Sequence, residues 1–230
     1  KEEIFNIHIQ DPKVSLKNFD LIICPEHDNL RGDNVITTVG AVHYLTKKEI
    51  DKNTQYIKID KENKKIVSFI LGGPNKYYDY SEKQIDIVFN KVKTLFTPDK
   101  YKLIIIPSYR TPEQIIKKAY NTFSHNHLVF KNVDKNAYLS SLSISDFIVV
   151  TCDSTSMISE SAVTGKPIYV ANMPPIRNNN RFKNFYTQFK KLDIIRDLED
   201  NVNIWNYNQL DEANRIAPII KERMRSNGII

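Results

Sequence analysis

The residues best suited to chemistry in this chain of 230 amino acids are glycines, hydroxyl side chains and an arginine in three short stretches. Each stretch follows a run of apolar residues that is typical of a buried strand. The candidates are Gly72, Gly73, Pro74 and Asn75 in the first stretch, Ser108 and Arg110 in the second, and Asp153, Ser154, Thr155 and Ser156 in the third. These residue types predict a binding site for a phosphate or diphosphate group.

The predicted site would hold an anion through three kinds of donor. Gly72 and Gly73 let backbone N–H groups approach a ligand closely, because they carry no side chain. Residues 154–156 stand where a helix is expected to begin, so their free amides and the helix dipole favour negative charge. Arg110 can grip a phosphate through its forked guanidinium. Glu160 lies one turn further along the same helix and could reach a ribose hydroxyl, so the whole predicts a pocket for a nucleoside diphosphate.

Each part of this pocket also has a purely structural interpretation. A Gly-Gly-Pro sequence is commonly a turn, and Asp153 with Ser154 is equally typical of a helix N-cap. Arg110 could be a surface ion-pair partner, and Glu160 could be an exposed helix residue. The expected convergence of the three stretches at one place is what favours a binding site.

A second group of titratable side chains lies near the N-terminus. Glu26, His27 and Asp28 follow the apolar run at 21–24. His27 and Asp28 are the first candidates for a general base that removes a proton from an acceptor hydroxyl, and they form the predicted catalytic pair. A capped loop is the structural alternative.

The sequence lacks the common motifs for metals and other cofactors. It contains no His-Glu-x-x-His, no Cys-x-x-Cys, no Gly-x-Gly-x-x-Gly and no Walker loop. We therefore expect no metal and no cofactor at the site, and neither dinucleotide binding nor ATP hydrolysis.

The apolar runs belong to a regular alternation of strands and helices. Strands are predicted at 66–71, 102–106, 127–130, 146–151 and 167–171, and helices at 81–96, 111–123, 137–143 and 156–164. Thr111 is the expected cap of the second helix, with Pro112 in its first turn. Continuously apolar strands are typical of parallel sheets that helices cover on both faces. The pattern predicts an α/β fold with a Rossmann-like parallel sheet in the order 3-2-1-4-5, which brings the three stretches to its carboxyl edge.

The chain divides into two predicted units. Residues 1–60 are expected to form a partial, acceptor-side Rossmann-like unit, with strands at 4–9, 20–24 and 35–39. Residues 61–230 are expected to form the nucleotide-binding domain, and the polar segment at 51–65 is a linker or surface hairpin. A long helix at 208–227 closes the larger domain and could cross back onto the first unit.

Net charge indicates the kind of partner. The chain carries a formal charge of +6, and its basic excess lies in residues 61–230, which hold 25 basic and 17 acidic side chains. This excess favours an anionic partner such as a nucleotide, a phosphate or a lipid head group. Specific nucleic-acid binding is not expected.

The sequence also predicts a cytoplasmic location. No apolar run approaches the roughly 20 residues of a membrane helix, and the first residues lack the apolar core of a signal peptide. The two cysteines, Cys24 and Cys152, each follow a strand-like run and are interpreted as buried residues in a reducing compartment.

Seven stretches of the sequence occur in an order that a known family shares. They are IQDP at 9–12, DLIICPEHD at 20–28, NVITTVGA at 34–41, LGGP at 71–74, PSYRTP at 107–112, DSTSMISE at 153–160 and TGKPIYV at 164–170. Together they resemble the mitochondrial fission Elm family, which has a plant member and more numerous bacterial members. The resemblance covers most of residues 7–220.

This resemblance implies a glycosyltransferase-like fold of the GT-B type, with the nucleotide in the C-terminal domain and an N-terminal domain longer than 60 residues. Together with the predicted donors, which could stabilise a departing diphosphate without a metal, it favours a protein that binds a nucleoside-diphosphate sugar and transfers the sugar to an unknown acceptor, such as a lipid-linked one in cell-envelope glycan synthesis. Bacterial members are also labelled as predicted nucleotide-sugar epimerases, so epimerisation or hydrolysis is an alternative. The plant member is associated with recruiting a dynamin-related protein, so a further alternative is a non-enzymatic adaptor with a protein partner, peripheral to a membrane such as the mitochondrial outer surface.

Overall fold

The computed structural model describes residues 4–199 and 201–230, and it contains two parallel β-sheets. The smaller sheet has the strand order β1-β2-β3. Its strands are β1 (Ile7–Ile9), β2 (Leu21–Pro25) and β3 (Val35–Thr38). The central strand β2 is buried along its whole length and pairs with a strand on each side. The three predicted strands of the first unit are therefore confirmed, with β1 shorter than expected.

The larger sheet has six parallel strands in the order β6-β5-β4-β7-β8-β9. The strands are β4 (Lys65–Leu71), β5 (Tyr101–Pro107), β6 (Leu128–Val129), β7 (Phe147–Thr151), β8 (Ile168–Ala171) and β9 (Ile195–Asp197). This order confirms the predicted 3-2-1-4-5 arrangement and adds a sixth, short strand at one edge. The α/β class and the Rossmann-like parallel sheet are confirmed, and two parallel sheets are what a GT-B-like fold requires.

Seven α-helices accompany the strands in the described residues. They are α1 (Lys47–Asp51), α2 (Glu82–Leu95), α3 (Glu113–Phe123), α4 (Lys135–Ile144), α5 (Thr155–Ser161), α6 (Asn180–Lys191) and α7 (Glu212–Ser226). A 3-10 turn, Ala162–Thr164, continues α5 to Gly165, whose φ of 71° suits a residue without a side chain. Helix α6 was not predicted, whereas the other long helices lie close to their expected positions.

The core of the larger unit follows from apolar spacing on the helices and from apolar strands. On α2 the buried residues Ile85, Val88, Phe89 and Val92 recur every three or four positions, which places them on one face. Phe89 packs edge-on against Phe69 of β4 at 5.9 Å between ring centroids. Burying a side chain of this size contributes about 1.5–3 kcal/mol, so this face fixes α2 on the sheet.

The start of α3 differs from the prediction. Pro112, not Thr111, is the N-cap residue, and no side chain caps the helix. The hydroxyl of Thr111 instead donates to the carbonyl oxygens of Leu71 and Gly72, at 2.9 and 2.6 Å. Thr111 therefore ties the β5–α3 loop to the end of β4, beside the predicted site.

Contacts from the C-terminal part of the chain join the two sheets. Glu212 of α7 accepts a hydrogen bond from the amide of Val39 at 2.8 Å, and Arg215 donates to the carbonyl of Thr37 at 2.7 Å. The closing helix thus crosses back onto the first unit, as expected. Leu45 and Ile50, which precede residue 60, pack in the core of the larger sheet. The covalent connection between the sheets is consequently part of the larger unit from Leu45 onward.

The segment at 51–65 forms turns rather than a hairpin, and it leads directly into β4. Ile57 within it is buried against Ile66 and Ile104, so this predicted linker is packed on the sheet. Within residues 4–199 and 201–230, no helix has both the length and the apolar character needed to cross a bilayer.

Candidate functional site

A cavity of about 540 Å³ opens at the carboxyl ends of β4, β5 and β7. Its walls come from the β5–α3 loop, the start of α4 and the start of α5. Of the predicted site residues, those that line it are Ser108, Arg110, Asp153, Ser154, Thr155, Ser156 and Glu160. The first stretch also reaches this region, because an Arg110 Nη donates to the carbonyl of Gly73 at 3.0 Å. The structure therefore brings the three predicted stretches together.

The centre of the site is the fully buried carboxylate of Asp153. It accepts hydrogen bonds from the Thr151 hydroxyl at 2.6 Å, from the Gly73 amide at 3.0 Å and from an Nη of Arg110 at 2.7 Å. These donors satisfy a charge that would otherwise be costly to bury. Asp153 thus holds the ends of β4 and β7 and the β5–α3 loop in one arrangement.

The two glycines play a different part from the one predicted. The amide of Gly72 donates to Thr151 Oγ1 at 2.8 Å, and the amide of Gly73 donates to Asp153, so both point into the protein rather than toward a ligand. A Cβ at Gly72 would collide with the Asp153 carboxylate, and one at Gly73 would collide with the backbone of Arg110. The glycines are needed for close packing of three chain segments beneath the cavity.

Pro74 and Asn75 lie outside the cavity lining. Pro74 is exposed, and the Asn75 amide donates to the carbonyl of Asp153 at 3.0 Å. The Asn75 Oδ1 also accepts from the amides of Tyr77 and Tyr78, at 2.8 and 3.0 Å. Asn75 therefore shapes the loop after β4.

Arg110 is both an ion-pair partner and a cavity residue. Its side chain is 43% exposed, and its three protein contacts are to Asp153, Gly73 and, at 3.5 Å, the carbonyl of Pro74. A guanidinium has five N–H groups, so two remain without an acceptor among the described residues. The pairing with Asp153 fixes the plane of the guanidinium and leaves these donors for a ligand.

The start of α5 forms the facing wall. Ser154 is the N-cap, and its side chain accepts from the amide of Met157 at 3.4 Å. The amides of Thr155 and Ser156 have no helical acceptor because they are the first two residues of the helix. The predicted cap is confirmed, and these amides and the hydroxyls of residues 154–156 lie beside the cavity.

Glu160 lies deeper in the same helix and lines the cavity. One carboxylate oxygen accepts from the Tyr138 hydroxyl at 2.7 Å, and the other has no hydrogen-bond partner in the described part of the chain. Burial, and then the neighbouring Glu160, raises the pKa of the Tyr138 phenol well above its ordinary value, so Tyr138 remains a donor. Tyr138 was not predicted, because nothing near it in the sequence marks it.

The cavity mouth carries two tyrosines and a lysine that were also missed. Tyr109 is 91% exposed, and the Lys135 ammonium lies 4.9 Å from the ring centroid of Tyr44. The Tyr44 phenol raises the pKa of Lys135, so the lysine keeps its charge. Tyr109 stands next to Arg110 and could have been suspected from its place in the second stretch.

Comparison with known proteins identifies the family of this chain. The family model described as mitochondrial fission ELM1 matches residues 1–224. This chain belongs to that family. The match confirms the resemblance that the seven sequence stretches indicated.

Two curated relatives show how much of a longer family member this chain covers. RP120, an uncharacterized protein of Rickettsia prowazekii (strain Madrid E), is 29% identical over 88% of the chain and 59% of its own length. The mitochondrial fission protein ELM1 of Arabidopsis thaliana is 25% identical over 99% of the chain and 60% of its own length. The chain thus spans about three-fifths of each of these relatives.

Several solved structures resemble the ELM1-family chain at low sequence identity. S. aureus MnaA with UDP is 15% identical with a TM-score of 0.49, covering 92% of this chain and 61% of that one. A UDP-GlcNAc 2-epimerase from Neisseria meningitidis bound to UDP-GlcNAc is 16% identical with a TM-score of 0.42, covering 87% and 57%. The wall teichoic acid polymerase TagF is 15% identical with a TM-score of 0.38, covering 70% and 43%. None of these three reaches a TM-score of 0.5.

His27 and Asp28 of the ELM1-family chain do not line the cavity. The His27 side chain is fully buried against Phe185 of α6, with ring centroids 5.2 Å apart, and neither ring nitrogen has a hydrogen-bond partner. Burial lowers the pKa of His27 to about 4, and Asp28 forms an ion pair with Arg181. The structure thus places this imidazole in a buried contact and not among the residues that line the cavity. The predicted catalytic pair therefore lies in the contact between the first unit and α6.

Proposed function

We propose that this chain binds a nucleoside-diphosphate sugar in the cavity and supplies the donor-binding part of a GT-B glycosyltransferase-like protein. The observation that carries the proposal is the Arg110 guanidinium, fixed by the buried Asp153 and left with free N–H donors at a cavity of about 540 Å³. That volume lies within the range of small-ligand pockets. A fixed cation at the carboxyl edge of a parallel sheet suits an anionic, phosphate-bearing ligand.

The ligand has a natural orientation in this cavity. The diphosphate lies between Arg110 and the start of α5, where the amides of Thr155 and Ser156 and the hydroxyl of Ser154 can donate. The ribose lies toward Glu160, whose free carboxylate oxygen accepts a hydroxyl. These fixed donors would stabilise a departing diphosphate without a metal ion.

One observation favours a second candidate, which is ligand binding without catalysis. The titratable side chains that line the cavity are Arg110, Asp134, Lys135, Asp153 and Glu160, together with tyrosines. The Asp153 carboxylate is occupied by its ion pair with Arg110. The Asp134 carboxylate caps α4 and accepts a hydrogen bond from the Tyr56 hydroxyl at 2.7 Å. Among the described residues this leaves Glu160 as the one lining carboxylate with an oxygen free to act as a base. An adaptor that retains a nucleotide-sugar pocket fits this set of residues.

Isothermal titration calorimetry with UDP, UDP-N-acetylglucosamine and GDP-mannose tests the proposal. We expect saturable binding of at least one of them, and Arg110→Ala should weaken it by about 1–3 kcal/mol, or roughly 5- to 150-fold. Glu160→Gln should weaken binding of any of the three ligands that binds, since each contains a ribose. It should leave the Asp153 network intact. Arg225→Ala on the exposed face of α7 is the matched control and should bind as the unaltered chain does.

Absence of binding to every nucleotide sugar, with the protein shown to be folded by its thermal transition, would contradict the proposal. Unchanged affinity in folded Arg110→Ala would remove Arg110 from the site. Product analysis after incubation with UDP-N-acetylglucosamine separates epimerisation or hydrolysis from transfer. Release of a free or altered sugar without an acceptor would identify one of those reactions.

A further inference from the structure

A second depression, of about 670 Å³, lies at the same sheet edge but toward β8 and α6. We call it the α6 groove. Its lining includes Tyr77, Arg177, Asn178, Phe182, Lys183 and Thr187. It shares no lining residue with the first cavity, so it is a separate place for a ligand.

The walls of the α6 groove are held by backbone hydrogen bonds. The amide of Asp79 donates to the carbonyl of Pro174 at 2.9 Å, and the amide of Ile176 donates to the carbonyl of Tyr77 at 2.8 Å. The hydroxyl of Tyr186 on the floor donates to the carbonyl of Cys152. The groove is therefore formed before any ligand arrives, which lowers the entropic cost of binding.

Aromatic rings cover one side of the groove. Phe182 contacts Tyr77 and Tyr78, with ring centroids 5.3 and 5.2 Å apart, and it stacks on Tyr186 at 6.4 Å. Tyr77, Tyr78 and Tyr186 are only partly buried. Flat aromatic surfaces of this kind pack well against the apolar face of another ring.

The charged lining of the groove is entirely positive. Arg177, Lys183 and Lys190 contribute three cations, and no carboxylate is among the lining residues. Lys190 is paired with Asp197 at 2.5 Å, whereas Arg177 and Lys183 have no acidic partner in the described part of the chain. The Lys76 ammonium lies 5.2 Å from the centre of the Tyr77 ring and adds a further cation at the rim. Unpaired cations beside aromatic rings complement a ligand that is both anionic and ring-bearing.

We propose that the α6 groove binds a phosphorylated sugar. The phosphate would meet Arg177 and Lys183. The sugar ring would pack on Tyr77, which the buried Phe182 supports, and Asn178 and Thr187 would bond its hydroxyls. This set of neutral hydrogen-bonding groups, ring faces and unpaired cations matches a sugar phosphate in each part. The proposal does not depend on the function of the first cavity.

The test is an NMR titration of the whole chain with glucose 1-phosphate, with glucose and glycerol 3-phosphate as its two partial ligands. We expect saturable amide shifts centred on residues 175–187, with glucose and glycerol 3-phosphate each binding more weakly by about tenfold or more. Arg177→Gln and Tyr77→Ala should each weaken binding of glucose 1-phosphate to a similar degree. Arg225→Gln on α7 is the matched charge control and should leave the affinity unchanged.

The following results would overturn the proposal. They are an absence of saturable shifts, shifts centred on residues 108–110 and 154–160 instead, and unaltered affinity in folded Arg177→Gln and Tyr77→Ala. Glycerol 3-phosphate binding as tightly as glucose 1-phosphate would also overturn it, because the rings would then contribute nothing. Tighter binding of vesicles that contain phosphatidylglycerol than of glucose 1-phosphate would replace the sugar phosphate by a lipid surface.

Discussion

At the scale of single residues, the geometry of the cavity depends on Asp153. Its buried carboxylate joins the Gly73 amide, the Thr151 hydroxyl and the Arg110 guanidinium. Each of these groups comes from a different segment of the chain, so one side chain sets the relative position of all three. Arg110 is useful to a ligand because Asp153 fixes it, and the ion pair and the binding role are two parts of one arrangement.

We predict that Asp153→Asn lowers the free energy of unfolding by about 1–3 kcal/mol. The amide cannot accept as many hydrogen bonds as the carboxylate, and it leaves the Arg110 charge without its partner. Urea denaturation followed by circular dichroism measures the effect. Asp86→Asn, which breaks an exposed ion pair with Lys118, is the matched control and should change the value by less than about 1 kcal/mol. An equal loss of stability in the two variants would show that the Asp153 carboxylate does not hold the three chain segments together.

At the scale of elements, most of the larger sheet could be predicted from the sequence. Five continuously apolar strands and the helices between them were enough to predict the strand order, and therefore where Arg110 and residues 153–156 would meet. Helix α6 was missed because it follows Arg177, Asn178 and Asn179 and begins with a third asparagine, although its three phenylalanines have the helical spacing that could have revealed it. Strand β9 has three residues, two of them charged, and so gave no signal.

The sequence could not give the direction of backbone amides. Whether the amides of Gly72 and Gly73 point outward or inward depends on which distant groups accept from them, and those are Thr151 and Asp153. The same limit applies to His27, whose burial is created by Phe185 of α6, about 160 residues away in the chain. Long-range packing decided these positions, and no local pattern encodes it.

For α6 we predict that Phe185→Ala destabilises the protein by about 3–5 kcal/mol. Phe185 is fully buried, with its ring 4.1 Å from that of Phe189 and 5.2 Å from His27, so truncation leaves a cavity between α6 and the first unit. The urea midpoint reports the loss. Ile87→Ala on the exposed face of α2 is the control for removing a large apolar side chain, and it should cost far less. A loss of under about 1 kcal/mol in Phe185→Ala would mean that α6 is not packed as described.

At the scale of the whole molecule, helices α6 and α7 are among the elements that attach the smaller sheet to the larger one. Helix α7 binds the end of β3 through Glu212 and Arg215, and α6 packs on the turn that holds His27 and Asp28. The second contact includes a buried, neutral imidazole. We therefore expect the attachment of the two units to be sensitive to acid.

We predict that stability falls as the pH is lowered from about 6.5 toward 4. The pKa of His27 is lowered to about 4 in the folded protein, whereas a free imidazole has a pKa near 6.5. Between these pH values His27 binds a proton in the unfolded chain but not in the folded chain. The free energy of unfolding therefore falls by about 2 kcal/mol through this group between pH 7.5 and pH 5. Urea denaturation at the two pH values measures the difference.

His27→Leu should reduce that difference, while His125→Gln, a change at an exposed histidine, should not. His127, whose pKa burial also lowers to about 4, contributes a second part that remains in both variants. An unchanged difference in His27→Leu would show that the contact between α6 and the first unit does not exclude the proton.

The side chain of Asn75 contacts residues that belong to both proposed binding places. Its amide donates to the Asp153 carbonyl beneath the cavity, and its oxygen accepts from the amides of Tyr77 and Tyr78 at the wall of the α6 groove. A movement of this one side chain would be transmitted to both neighbours. Linkage is reciprocal, so whatever effect one occupant has on the affinity of the other must be returned in equal measure. Titrations of either ligand consequently need to be repeated with the other place saturated.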